Sequence, residues 1–216
     1  MAYFPILIDW DGLPCLVAGG GRLALHKAAL LTEQGAVVTV VAPEICEEIL
    51  ALPVTPVLRR VTGEDAAGKA LVIDATGDSE AQKLLSDACR RQNVPFNSAC
   101  KVDDGTAIFP AVHRQGRTVV AVSSLGASPA ASAKLRDKLA NEVPAEMDAI
   151  LDCMADLRPL SREWFSEQPE RREFLHRCLD AMLASGRPLN EETVREIRNS
   201  IRSMCIQREE KEKTHG

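Results

Sequence analysis

Six residues near the start of the chain, Gly19-Gly20-Gly21-Arg22-Leu23-Ala24, fit the pattern G-x-G-x-x-A. Glycine in the first place permits a tight turn out of a strand. Glycine in the third lets the backbone come close to a pyrophosphate, and alanine in the sixth lets a helix pack tightly on a sheet. The phosphates would sit at the helix N-terminus, where unpaired N–H groups and the helix dipole attract anions. The pattern has force only between a strand and a helix near the start of a βαβ unit. Both neighbours are present. "PCLVA" (14–18) reads as a short buried strand, and "LALHKAALLTEQG" (23–35) places Leu23, Leu30 and Leu31 at helical spacing before a stop at Gly35. "AVVTVVAP" (36–43) is rich in β-branched residues and reads as a second strand.

A dinucleotide-binding domain usually carries Asp or Glu at the end of its second strand, where it holds ribose hydroxyls. Here that strand ends in Ala42-Pro43, with Glu44 just beyond. Either Glu44 or backbone groups would take that role, and the absence of arginine there leans towards NAD over NADP. A second group of reactive side chains follows in "NSACKVDDG", with Asn97, Cys100, Asp103 and Asp104. Cys100 reads as a small buried hydrophobe or as a catalytic group. Asp103 and Asp104 read as turn residues before Gly105 or as catalytic carboxylates. His113, placed at a hairpin turn, is a solvated imidazole or a substrate contact. Ser128 reads as a helix cap.

The elements that must position these groups alternate at first. "VTPVLRRV" (54–61) and "ALVIDAT" (70–76) read as strands three and four. Ser79 is placed to cap the helix that follows to about Gln92, and "VPFNSA" (94–99) reads as a fifth strand. Strand and helix in alternation predict a doubly wound parallel sheet. The pattern then changes. "TAIFPAVHRQGRTVVAVSS" (106–124) reads as a β-hairpin about "RQG", and "SPAASAKLRDKLANEVP" (128–144) as a helix with Pro129 at its first position. Beyond Pro144 three apolar stripes run at helical spacing: Met147, Ile150, Leu151, Met154 and Leu157; Phe174, Leu175, Cys178, Leu179 and Met182; and Val194, Ile197, Ile201, Met204 and Cys205.

Composition narrows the classes. Across 216 residues the net charge is −5 without a basic block, and only 4% of residues are aromatic. That argues against nucleic acid as a partner. The seven cysteines show no C-x-x-C spacing, so free thiols in a reducing cytoplasm are expected rather than disulfides or a metal site. The first residues lack a basic n-region, and no apolar run reaches the length of a membrane span.

Four stretches together carry a resemblance: "LPCLVAGGGRLALHKAALL", "VIDATGD", the strand ending at Asn97 with "IFPAVHRQGRTVVAVSS" after it, and "SSLGASPAASAKLRDKL". In this order, over about residues 5 to 140, the chain resembles the precorrin-2 dehydrogenase and sirohydrochlorin ferrochelatase family. This is the module of siroheme synthase that oxidises precorrin-2 to sirohydrochlorin with NAD and in some members also inserts iron. The methyltransferase domain carried by some relatives is not expected. The resemblance implies an α/β fold: a Rossmann-type NAD-binding domain (1–112), a small α+β dimerisation segment (113–144) and a helical domain (145–216). It implies a cytoplasmic homodimer interlocked through the hairpin and the next helix, with the anionic tetrapyrrole as substrate and ferrous iron or cobalt as a second one.

Carried over residue by residue, the resemblance implies cofactor contacts at Gly19, Gly21, Arg22, Leu23, Ala42, Pro43 and Thr76, and substrate contacts at Asn97, His113 and Ser124. Relatives commonly have Asn-x-x-Asp after the fifth strand, and that Asp serves in both dehydrogenation and metal insertion. Here Cys100 stands in its place, with Asp103 and Asp104 next in reach. Arg22, Lys27, Lys101, Arg114, Arg117, Lys134 and Arg136 are the cations from which partners for the substrate's carboxylates would be drawn. Two other readings stay open: a chelatase without dehydrogenase activity, and a nucleotide-sensing regulatory module.

Overall fold

The computed structural model describes residues 3–99 and 105–214, with 205–214 as backbone only. The chain divides into two compact units. One comprises Met1–Pro110 with Ser123–Ser128, the other Ala111–Val122 with Pro129–Gly216.

The first unit is a five-stranded parallel sheet in the order β3-β2-β1-β4-β5. Its strands are β1 (Pro14–Ala18), β2 (Val37–Ala42), β3 (Val54–Leu58), β4 (Leu71–Asp74) and β5 (Phe96–Ser98). The expected strands are therefore all present, shorter by a residue or more at several ends. The chain starts at the centre, winds outward through β2 to β3, then crosses to β4 and β5. The strand order reverses between β1 and β4, where doubly wound sheets bind their ligands. Leu16, Val17, Val72 and Ile73 are buried, as expected of central parallel strands covered on both faces.

Helix α1 (Arg22–Glu33) packs Ala24, Ala28 and Leu31 onto one face with Val17, Val38 and Ile73. It ends as expected at Gly35: the Ala36 N–H reaches the Leu31 carbonyl at 3.1 Å and the Gly35 N–H reaches Thr32 at 3.0 Å, a Schellman closure. Helix α3 (Ser79–Gln92) covers the other face with Leu85, Ala88 and Cys89. Its cap is Asp78, not Ser79. The Asp78 carboxylate accepts from the N–H groups of Glu80 at 2.8 Å and Ala81 at 3.4 Å, so Ser79 becomes the first helical residue. Between them lie a four-residue helix α2 (Glu47–Leu50) and a 3-10 turn at Gly63–Ala66, neither of which has an apolar period long enough to read from sequence.

In the second unit β6 (Ala111–Gln115) and β7 (Thr118–Val122) pair antiparallel, from Ala111 opposite Val122 to Gln115 opposite Thr118. The turn is thus Gly116-Arg117, one residue beyond the expected one, and His113 lies mid-strand opposite Val120 rather than at the turn. Asp148 explains the shift, because it accepts from the Arg117 backbone N–H at 3.0 Å and so pins the turn. Helix α4 (Pro129–Ala140) follows. Then α5 (Met147–Trp164), α6 (Gln168–Ser185) and α7 (Glu191–Thr214) bury Ile150, Leu157, Phe174, Cys178, Met182 and Ile201 in one core. All three stripes contribute to it; Leu151 stays half-exposed at the margin. Phe174 meets Trp164 edge-on at 5.6 Å between ring centroids. Among the described residues no helix is long and apolar enough to cross a membrane.

The described cysteines are free thiols. Burial pushes Cys15 and Cys89 up to about 11 and Cys178 up to about 12 from the ordinary 9.0, with Lys69 partly offsetting the effect at Cys15 and Cys153 adding to it at Cys178. The folded state therefore keeps protons that the unfolded chain releases above pH 9. Stability from this source is complete below about pH 9 and is lost as pH rises through the folded values. Urea unfolding should accordingly give a midpoint that is flat from pH 7 to 8.5 and falls between pH 9 and 11. Cys89→Ala should flatten that alkaline slope.

Candidate functional site

The glycine turn connects β1 to α1 and touches both neighbouring strand ends through the backbone. Gly19 has φ +120° and donates its N–H to the Val41 carbonyl of β2 at 3.0 Å. A Cβ on Gly19 would lie 2.5 Å from the Ala75 carbonyl oxygen, just after β4. Gly20 is tighter still. Its Cβ would fall 1.8 Å from the Glu44 carbonyl oxygen, and its own carbonyl accepts the Cys46 N–H at 3.0 Å. The loop after β2 therefore closes directly onto Gly20. The G-x-G-x-x-A pattern treats this place as free, so its requirement for glycine was not legible there. The tripled glycine was the only signal.

Gly21 differs. Nothing lies within 4 Å of an added Cβ, and its backbone is extended, with φ −98° and ψ −169°. It is the N-cap of α1 and makes no side-chain cap bond; the first turn of α1 carries no acidic residue. The first N–H groups of a helix lack intrahelical partners, so this end presents donors and positive potential to open space. A pyrophosphate fits such a cradle on both counts. Arg22 and Leu23 open the helix and are exposed, whereas Ala24 is buried against the sheet.

The other residues placed in a cofactor site by sequence lie at the same sheet edge. Ala42 is the buried last residue of β2, and Pro43 follows it, exposed. Thr76 stands two residues beyond β4 and is half-buried; its backbone N would be 3.2 Å from a Cβ on Gly19. The ends of β1, β2 and β4 thus bring these positions together around the glycine turn.

Asn97 sits in β5 and is 8% exposed. Its Nδ2 donates to the Ala107 carbonyl at 2.9 Å, while Oδ1 is buried without a partner among the described residues. The segment it holds carries Phe109, whose ring lies 4.3 Å below the Lys27 ammonium. Burial lowers the pKa of Lys27. Cys100, Asp103, Asp104 and Lys101 lie outside the described residues. Ser124 closes its own loop: its hydroxyl donates to the Ser128 carbonyl at 3.0 Å and accepts the Ser128 N–H at 2.9 Å. His113 is half-buried in β6, in the second unit. Two of the candidate cations are engaged elsewhere, Arg117 with Asp148 and Asp152 and Arg136 with Asp137.

The contrast between adjacent glycines is testable. Gly20→Ala forces backbone apart and should cost on the order of 3 kcal/mol, roughly 10 °C in Tm for a chain of this size. Gly21→Ala has room and should stay within about 1 kcal/mol of wild type. Thermal unfolding of the two variants checks this ordering.

Comparison with known proteins agrees with this geometry. Residues 6–111 match a family described as "Putative NAD(P)-binding". The siroheme synthase of Methylococcus capsulatus is 35% identical over 188 residues, 85% of this chain and 40% of that protein. The siroheme synthase of Ectopseudomonas mendocina is 32% identical over 204 residues, 92% of this chain and 44% of that protein. The solved structure of SirC, a precorrin-2 dehydrogenase, superposes with a TM-score of 0.67 at 23% identity, covering 93% of this chain and 100% of its own, and so shares the fold. The chain is similar to the siroheme synthases over about two fifths of their length, and its match to the NAD(P)-binding family spans residues 6–111.

Proposed function

We propose that the protein is an NAD-dependent precorrin-2 dehydrogenase of siroheme or related modified-tetrapyrrole biosynthesis. The observation that carries this reading is the open, uncapped N-terminus of α1 at the switch point of the sheet, in a chain 35% identical to a siroheme synthase over most of its length. The domain limits that go with it are 1–112 for cofactor binding, 113–144 for dimerisation and 145–216 for the helical part.

Gly21, Arg22 and Leu23 hold the pyrophosphate through backbone N–H groups and the guanidinium, and Gly19, whose own N–H is taken by Val41, supplies the tight turn that brings the phosphates close. Ala42 and Pro43 give the adenosine side a small, apolar floor. β2 ends without arginine, which favours NAD over its 2′-phosphate. When bound, NAD supplies a hydride acceptor. The substrate gives up two electrons and two protons overall, so the protein must place the carbon that loses hydride and accept one proton by a base or through water. Asn97, His113 and Ser124 are assigned to orienting the macrocycle. Cys100, Asp103 and Asp104 are the groups assigned to the proton. The carboxylates of precorrin-2 call for cations, and Lys27 is half-buried with no ion pair among the described residues.

Ferrous iron or cobalt would be a substrate of the same site. Insertion requires the macrocycle to shed two pyrrole protons, and a carboxylate both accepts a proton and attracts the cation. A thiol of ordinary pKa about 8.5 is mostly protonated at pH 7, so Cys100 is the poorer base. Wild type should therefore form NADH with precorrin-2, followed at 340 nm, while inserting iron weakly or not at all. Cys100→Asp should raise insertion. Gly21→Asp, which sets a negative charge against the pyrophosphate, should lose NAD binding; unimpaired binding by that variant would remove the site.

The assembly proposed is a homodimer through the hairpin and α4. Val112, Leu135 and Leu139 are each about half exposed in the single chain, and apolar surface of that kind is normally covered. Light scattering at micromolar concentration should give twice 23.5 kDa; a mass near 23.5 kDa would refute the dimer.

A further inference from the structure

The loop after β4 contains a buried carboxylate with no part in the reading above. Asp74 ends β4 and is 1% exposed. Its Oδ1 accepts two bonds from Thr76, from the backbone N–H at 3.1 Å and from the hydroxyl at 2.7 Å. Its Oδ2 is buried without a partner among the described residues. The Thr76 oxygen in turn accepts the Asp78 N–H at 3.1 Å. A hydroxyl has one proton and two lone pairs. The carboxylate takes the proton and the Asp78 N–H takes one lone pair. The Asp78 carbonyl stands farther off, at 3.5 Å, and a short bond to a carboxylate outcompetes it. One lone pair of Thr76 is left, on a half-buried residue beside the glycine turn.

We propose that Asp74 is a positioning residue that makes Thr76 a hydrogen-bond acceptor, so that the loop after β4 takes a donor of the dinucleotide, a ribose hydroxyl or the carboxamide NH2, and not a phosphate. This rests on the reading of Thr76 as a cofactor contact. A phosphate oxygen offers only acceptors. To donate to it, Thr76 would have to abandon Asp74, leaving a buried carboxylate with fewer partners, and such groups are costly when unsatisfied. The two strand-end loops therefore divide the ligand between them: the N–H groups of α1 take its anionic part and the acceptor at Thr76 takes its O–H or N–H part.

Calorimetric titration of the full chain with NAD and with ADP-ribose tests this in wild type, Thr76→Val, Asp74→Ala, Asp74→Asn and Gly21→Asp. Thr76→Val keeps the shape and removes the acceptor, so NAD should bind about tenfold more weakly, the worth of one hydrogen bond. ADP-ribose has the hydroxyls but no carboxamide. An equal loss for both ligands assigns a ribose hydroxyl; a loss for NAD alone assigns the carboxamide. Asp74→Ala frees the hydroxyl proton and should weaken NAD to a similar extent. Asp74→Asn keeps an acceptor oxygen for Thr76 and should stay within about twofold of wild type, a rescue that loss of folding would not produce. Binding by Thr76→Val within twofold of wild type for both ligands overturns the proposal. So does tighter binding by Asp74→Ala, the result for a hydroxyl that donates to phosphate. Failure of the underlying site reads out separately, as NAD binding that Gly21→Asp leaves intact.

Discussion

Backbone is packed against backbone where β1 ends, and the rest of the first unit is arranged around that contact. The Ala75 carbonyl presses on Gly19 and the Glu44 carbonyl on Gly20, each closer than any Cβ would allow. Three strand ends, β1, β2 and β4, are thereby fixed to one another without a side chain between them. The same contact leaves α1 starting at Gly21 with open space about an added Cβ and no acidic residue in its first turn. An anion site of this kind needs no charged side chain and no rearrangement to form, which lowers the cost of binding. The loop after β2 is held by Gly20 and Cys46, so its backbone is already in place.

The Asp74–Thr76–Asp78 chain extends that order into the next loop. One carboxylate holds Thr76, Thr76 accepts from Asp78, and Asp78 caps α3. The start of a 14-residue helix and the polarity of one hydroxyl at the site are thus set by the same network. A buried carboxylate at the end of a central strand is an expensive way to close a loop. It is economical if the loop must also present a fixed acceptor.

Much of this was legible in sequence because the signals were local. The strands of the parallel sheet showed as short apolar runs, β2 as a β-branched one, α1 showed by the spacing of its leucines, and Gly19 and Gly21 showed by their interval. What was not legible depends on partners distant in the chain. Gly20 is fixed by Glu44, which no motif registers. The hairpin turn slides one residue because Asp148, some thirty residues on, binds Arg117. Asp78 displaces Ser79 as cap because both can do the task and Asp78 is held in place by its N–H bond to Thr76 Oγ1. Asp74 closes an apolar run, "LVID", and only its contacts distinguish it from a solvated strand end.

The second unit obeys a different rule. Its three long helices satisfy their apolar stripes among themselves, with Phe174, Cys178 and Met182 fully buried. Helix α4 does not. Ser132 is its only buried residue, while Leu135 is 52% and Leu139 48% exposed. No residue of the hairpin is buried either. Fully burying a leucine is worth roughly 1.5–3 kcal/mol, so a helix that leaves two half-covered forgoes a good part of its own packing energy. Sequence selected purely for the stability of a lone chain would place lysine or glutamate there, as it does on the outer faces of α5 to α7. Exposed apolar side chains occur elsewhere too, Leu183 of α6 at 43% and Leu58 at 70%; what sets α4 and the hairpin, the segment proposed to join two copies, apart is that Ser132 is the one buried residue between them.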